Sequence, residues 1–203
     1  MKLLFVNCCI SQRGGASRTL ALADAFLTAF RASHPGAEVE EVTPEALLAL
    51  KPFNAEMLNR RDALAAENAF DAPVYALARQ FRAADAVAVA DAVAVAAPFW
   101  DLSYPAALRT YIEYISANGL TYHYDAAGCH GDCAAGHLVY LTSCGDVERE
   151  DSVGVIHWRQ LAAMFGIPQF DYVFAGGLDA RPDTAGDTLT AACTLAGALA
   201  KTL

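Results

Sequence analysis

Three short segments of this chain gather residue types able to hold a ligand. In the first, Cys8-Cys9-Ile10-Ser11-Gln12-Arg13-Gly14-Gly15-Ala16 leads into Ser17-Arg18-Thr19. Glycines let backbone approach a ligand closely, and hydroxyls at a helix start, with free N–H groups and the helix dipole, suit an anion such as a phosphate. The plainer reading is that Ser17 is only an N-cap. In the second segment, Phe99, Trp100, Asp101 and Leu102 lie between Pro98 and Pro105. Their two aromatics either flank a flat ring or simply cover the end of a sheet. The third is Thr142-Ser143-Cys144-Gly145-Asp146, a small turn that can offer N–H donors to a polar ring edge.

Other chemistries fail on spacing. A phosphatase-type thiolate needs an arginine six positions on, but that position is Gly14 counted from Cys8 and Gly15 counted from Cys9. Neither Gly-x-x-x-x-Gly-Lys nor Gly-x-Gly-x-x-Gly occurs, so the usual signals for nucleoside triphosphates and dinucleotides are missing. Cys129-His130-Gly131-Asp132-Cys133, with His123 and His137 nearby, reads as a metal site, a redox pair or a lid. Its two thiols and one imidazole fall short of the four ligands of tetrahedral zinc, and the order is not that of haem attachment. A loop with two reduced thiols is favoured, and no metal is assigned. Cys8, Cys9 and Cys193 read as packing residues, and Cys144 as a buried filler or a redox-active thiol. Arg60-Arg61 reads as a solvated pair.

These segments need a scaffold. Apolar runs at 2–7, 91–97, 137–142 and 170–175, with a more polar stretch at 37–42 nearer an edge, predict five strands. Helical stripes alternate with them: Leu20, Ala23, Leu27 and Phe30, stopped by His34-Pro35-Gly36; Ala76, Leu77, Gln80 and Phe81, opened by Pro73; Leu108, Tyr111, Ile112 and Ile115, with Pro105 in the first turn and Gly119 as C-cap; Trp158, Leu161, Ala162 and Phe165, ended by Gly166 and Pro168; and Leu189, Cys193, Ala196 and Ala200. Asp-Ala-Val-Ala-Val occurs twice, at Asp85 and Asp91; the first copy reads as helix and the second as strand, which Pro98 closes. Residues 43–71 are charged and irregular, and read as loop plus short helix. Strands alternating with helices predict an α/β three-layer sandwich, a parallel sheet with helices on both faces. In such sheets ligands bind beyond the carboxyl ends of the strands, where all three segments fall.

Composition narrows the partners. The chain has 203 residues and a net charge of −9, from 14 Lys+Arg against 23 Asp+Glu. One domain, 1–203, is expected at this length. The acidity disfavours nucleic acid and anionic membrane surfaces. The longest apolar run, 92–100, is far short of the ~20 residues of a membrane helix, and the N-terminal apolar run is too short for a signal core. Six cysteines then suggest reduced thiols and a cytoplasmic location.

Taken together, the three segments resemble the FMN-dependent NADH:quinone and azo-compound reductases of the flavodoxin-like fold, over most of the chain from Leu3 to Gly177. The most specific part is Ala96-Ala-Pro-Phe-Trp-Asp-Leu-Ser-Tyr-Pro-Ala-Ala-Leu-Arg109 with Tyr111-Ile-Glu113, and Gly119-Leu-Thr-Tyr-His-Tyr124 resembles the segment that follows. The resemblance implies a five-stranded sheet of order 2-1-3-4-5. It also implies an FMN phosphate held by Ser17, Arg18 and Thr19, and an isoalloxazine embraced by Phe99, Trp100, Asp101, Leu102, Ser143, Cys144, Gly145 and Asp146. It further implies NADH or NADPH as co-substrate, a small aromatic acceptor, ping-pong transfer with no covalent catalytic side chain, and a homodimer with the site at its interface. Cys144 and Asp146 stand where azoreductases have arginine and glycine, and Cys9 stands at a position often filled by a phosphate-contacting serine, with Arg13 as a compensating donor. The rival readings are a flavin-binding electron carrier without small-molecule turnover, and a member that has lost FMN.

Overall fold

Each central strand carries apolar residues on both sides, so each must be covered twice. The computed structural model describes residues 1–11, 13–67, 75–147 and 152–203. In chain order the elements are β1 (Lys2–Asn7), a 3-10 turn (Gly14–Ala16), α1 (Arg18–Ser33), β2 (Glu38–Val42), α2 (Pro44–Leu48), α3 (Ala55–Ala66), α4 (Tyr75–Ala88), β3 (Ala92–Ala96), α5 (Ala106–Ile115), β4 (Tyr122–Asp125), β5 (Gly128–Gly131), β6 (His137–Ser143), α6 (Val153–Met164), β7 (Gln169–Ala175) and α7 (Ala185–Ala200). Five strands pair in parallel in the order β2-β1-β3-β6-β7, while β4 and β5 form a separate antiparallel hairpin. The expected order 2-1-3-4-5 is this one, with the hairpin strands inserted in the numbering.

Alternation along the strands divides the core. Leu4, Val6, Val93, Val95, Leu138 and Tyr140 pack with α5 and α6 through Leu108, Ile112, Trp158 and Leu161. Leu3, Phe5, Ala94, Ala96, Val139 and Leu141 pack on the other face with Leu22, Phe26 and Phe30 of α1 and Ala192 and Ala196 of α7. Each fully buried Leu or Phe contributes roughly 1.5–3 kcal/mol. The Asp85 copy of the repeat lies in α4 and the Asp91 copy leads into β3, as the pattern requires.

Three expectations are corrected. The charged stretch after β2 holds two helices: Thr43 caps α2 by accepting the Ala46 N–H at 3.3 Å, and Asn54 Oδ1 accepts the Met57 N–H of α3 at 2.9 Å. Both carry polar caps, and α2 also buries Leu47 in the core; residues 68–71, and Pro73, lie outside the described residues. Gly119 does not cap α5, which closes at Ser116, whose N–H reaches the Ile112 carbonyl at 3.0 Å. With φ +85°, Gly119 instead turns the chain into β4 and donates to the Tyr122 carbonyl at 2.7 Å. The Cys129–Cys133 segment is the second strand of the hairpin and its exit, not a loop. No helix among the described residues is long and apolar enough to cross a membrane.

Candidate functional site

At the carboxyl ends of β1, β3 and β6 the chain leaves a cleft of about 270 Å³. One wall is the start of α1. Ser17 has extended backbone, and its Oγ accepts the Leu20 N–H at 3.3 Å. Ahead of it the 3-10 turn is closed by Ala16 N–H to the Arg13 carbonyl and Ser17 N–H to the Gly14 carbonyl. Gly14 needs its freedom here, at φ +51°. The Arg18 and Thr19 N–H groups have no acceptor among the described residues, so two donors and the positive end of a sixteen-residue helix face the cleft. Thr19 is buried, and its Oγ1 lies 2.7 Å from Ser143 Oγ, joining the first wall to the end of β6.

The opposite wall is built by two loops. After β6, the Cys144 and Gly145 carbonyls accept N–H groups from Leu178, Asp179 and Ala180 of the loop after β7. That docking brings Asp179 to the cleft, where it pairs with Arg18 at 2.7 Å. Gly145 leaves room for this placement: a Cβ there would stand 2.1 Å from the Asp179 carboxylate. No segment of the sequence read by itself pointed to Asp179, since its place depends on the pairing of two distant loops.

The third side is the aromatic segment. Phe99 packs edge-on to Phe174, with ring centres 5.7 Å apart. Trp100 and Ser103 exchange both backbone hydrogen bonds across a tight turn whose central residues, Asp101 and Leu102, have φ +50° and +63°. Two consecutive non-glycine residues in the left-handed region cost roughly 1–2 kcal/mol each, and such strain concentrates at functional sites. Below the turn, the buried Tyr104 hydroxyl hydrogen-bonds His157 Nδ1 on α6, and the two rings stack. Burial, helped by the Arg109 charge, holds the His157 pKa below its ordinary value and favours the neutral ring.

Of the residues expected at the site, Ser17, Arg18, Thr19, Phe99, Trp100, Ser143, Cys144 and Gly145 line the cleft. Ser11, Arg13, Ala16, Pro98 and Asp179 line it too, and of these Arg13 had been picked out as a donor. Asp101 and Leu102 project from the tight turn into solvent, outside the cleft. Asp146 lies outside it as well: its carboxylate accepts the Val147 N–H at 2.7 Å, within its own loop. Cys144 is buried and donates from Sγ to the Asp146 carbonyl at 2.8 Å. Burial pushes the Cys8 and Cys9 thiols up to about 12 and 11, which disfavours thiolate chemistry at the end of β1.

The histidine and cysteine hairpin stands apart. His123 and His130 stack face to face across β4 and β5, each bonded to its own carboxylate, Asp132 at 2.8 Å and Asp125 at 2.9 Å. His137 is buried and bonded to Asp171 at 2.8 Å. Among the described residues no group of three or more His, Cys, Asp or Glu is arranged to hold a metal ion. All six cysteines are free thiols.

Comparison with known proteins adds an independent line. A family model described as flavodoxin-like fold matches residues 1–196. An FMN-dependent NADH:quinone oxidoreductase of Clostridium acetobutylicum is 31% identical over 170 residues, 81% of each chain. One of Pseudomonas fluorescens is 31% identical over 188 residues, covering 88% of this chain and 87% of the other. Among solved structures, an azoreductase from Bacillus anthracis superposes over 100% of both chains with a TM-score of 0.85 at 24% identity, which speaks for the fold.

Proposed function

Because the chain belongs to the flavodoxin-like fold family, among relatives named as FMN-dependent NADH:quinone oxidoreductases, we propose that it is an FMN-dependent oxidoreductase that carries reducing equivalents from NADH or NADPH to quinones, azo compounds or similar aromatic acceptors. The observation that carries this reading is the pair of unpartnered N–H donors at the start of α1, in a cleft whose other sides are Phe99, Trp100 and the Ser143–Gly145 turn. Backbone donors at a helix start suit a phosphate group, and a slot between an aromatic loop and a small polar turn suits a flat ring. FMN, when bound, supplies the hydride-accepting and hydride-donating chemistry.

The chain's own residues then have distinct tasks. Ser17, Arg18 and Thr19 hold the phosphate, through backbone N–H groups of Arg18 and Thr19 and the Arg18 guanidinium. Asp179 fixes that guanidinium at the lip of the cleft, and Arg13 is placed to add a second cation. Phe99, Trp100, Ser143, Cys144 and Gly145 bound the ring, while Asp101 and Leu102 shape the turn that presents Trp100. No side chain is required as a covalent catalyst. Residues 1–203 act as one FMN-binding domain, and the six free thiols support a reducing cytoplasmic setting.

The purified protein should be yellow or take up FMN, and NADH without oxygen should bleach the visible flavin bands. Steady NADH oxidation with menadione should then give parallel double-reciprocal lines. Bands that persist with NADH but bleach with dithionite would point to a carrier. A colourless protein that cannot be reconstituted would overturn the reading.

The site also has an exposed apolar border: Leu102 at 70% exposure, with Trp100, Val147, Val153 and Ile156 on the neighbouring loop and the first turn of α6. Apolar surface gathered around a cleft marks an interaction face, and we place the homodimer contact here, with the acceptor bound between the subunits. Leu102→Glu should raise the dimer dissociation constant at least about tenfold in sedimentation equilibrium, since it removes a buried leucine worth roughly 1.5–3 kcal/mol. A variant as dimeric as the parent would move the contact elsewhere.

A further inference from the structure

The aromatic turn beside the cleft stands out from the sheet. Trp100 and Leu102 are 39% and 70% exposed, and Asp101 and Leu102 hold left-handed backbone. The turn is closed by Trp100 N–H to the Ser103 carbonyl at 3.2 Å and Ser103 N–H to the Trp100 carbonyl at 2.8 Å. The net gain of two such bonds is of the same order as the strain of two left-handed residues, so contacts at the base decide whether the turn keeps its shape. Its upstream end is anchored on the sheet, where Phe99 N–H reaches the Ser143 carbonyl at 3.1 Å and the Phe99 ring meets Phe174. Its downstream end is Tyr104, which is 9% exposed. The Tyr104 hydroxyl hydrogen-bonds His157 Nδ1, and the two rings stack with centres 6.0 Å apart. His157 belongs to α6, whereas the turn itself leads into α5. Neither residue lines the cleft.

We propose that Tyr104 and His157 are positioning residues: their bond ties the strained turn to α6 and so keeps Trp100 against the cleft, a role that rests on the flavin reading above. A hydroxyl at position 104 and a polar atom where His157 Nδ1 stands are both needed, and stacking alone does not suffice. Asparagine at 157 carries an amide that can take the place of Nδ1, whereas leucine fills the space without a hydrogen-bonding atom.

Amide hydrogen exchange at Trp100 and Ser103 in the full-length protein reads the turn itself and needs no flavin. Tyr104→Phe and His157→Leu should each speed exchange at both amides about fivefold to tenfold, the scale of one hydrogen bond. The double variant should match the single ones, because each removes the same bond, and His157→Asn should restore parent rates. In FMN-loaded protein, reduction by NADH without oxygen should slow about threefold to tenfold in the same variants and recover in His157→Asn. Exchange at the parent rate in Tyr104→Phe, effects that add in the double variant, or no rescue by asparagine would overturn the tether. Faster exchange with reduction at the parent rate would overturn the positioning role. A chain that takes up no FMN would overturn the flavin reading and the positioning role with it, while exchange alone would still show whether the tether exists.

Discussion

Ser17→Asp should weaken FMN binding by about a hundredfold to a thousandfold while the apoprotein remains as stable as the parent. Ser17 is the N-cap of α1, where its Oγ accepts the Leu20 N–H. Aspartate caps a helix as well as serine does, and its charge is favourable at that end of the dipole, so the fold has no reason to suffer. The ligand does. A carboxylate fixed beside the Arg18 and Thr19 N–H groups occupies the region proposed for a phosphate of about two negative charges. At an effective dielectric of 20, two like unit charges 4 Å apart repel by roughly 4 kcal/mol, and each 1.4 kcal/mol is about tenfold in affinity. Fluorescence titration of the apoprotein with FMN reads the constant directly, with riboflavin as the control, because it lacks the phosphate and should lose far less. If FMN binds Ser17→Asp as it binds the parent, the phosphate does not lie at the start of α1. Ser17→Ala separates the cap from the charge: it should cost about 1 kcal/mol of stability with a much smaller change in FMN affinity.

The central strands were legible because buried strands in a parallel sheet are continuous apolar runs, while their order came from the family resemblance. The run 92–97 is apolar on both faces and is buried throughout. The lining of the proposed cleft was legible to the extent that it is local: Ser17, Arg18 and Thr19 sit on one helix start, Phe99 and Trp100 on one loop, and Ser143 to Gly145 on another. What escaped is what depends on two distant segments meeting. Asp179 reaches the cleft through the loop after β7, its carboxylate lying over Gly145. The Thr19–Ser143 bond joins residues 124 positions apart. Asp101 and Leu102 were ring contacts only by the family resemblance; they form the left-handed turn, are exposed and do not line the cleft. The hairpin β4–β5 was hidden for another reason. Tyr122–Asp125 and Gly128–Gly131 are short and mostly exposed, with neither an apolar run nor a clean alternation, and their pairing rests on backbone hydrogen bonds and stacked histidines.

That hairpin is also where a single methyl group should do the most damage to the fold. A Cβ on Gly131 would stand 1.9 Å from the Gly166 nitrogen and 2.0 Å from the Phe165 carbonyl carbon. Both are backbone atoms at the end of α6, where Gly166 has φ +76° and Ile167 N–H bonds the Ala162 carbonyl. No rotamer can move aside. Either the hairpin lifts from α6, breaking the Cys133 N–H to Phe165 carbonyl bond, or the end of the helix unwinds into the core around Phe165, which is fully buried. Overpacking ordinarily costs 1–3 kcal/mol and sometimes more, so Gly131→Ala should cost about 3 kcal/mol or more, or a melting temperature lower by roughly 6–12 °C for a chain of this size. Gly136→Ala is the control: nothing lies within 4 Å of its Cβ and its φ is not in the left-handed region, so its melting temperature should stay level or rise slightly. Because the cleft takes no residue from the hairpin, FMN affinity measured well below the transition should be the same in both variants and the parent. A Gly131→Ala protein that melts with the parent would mean that the hairpin does not seat on α6 in solution.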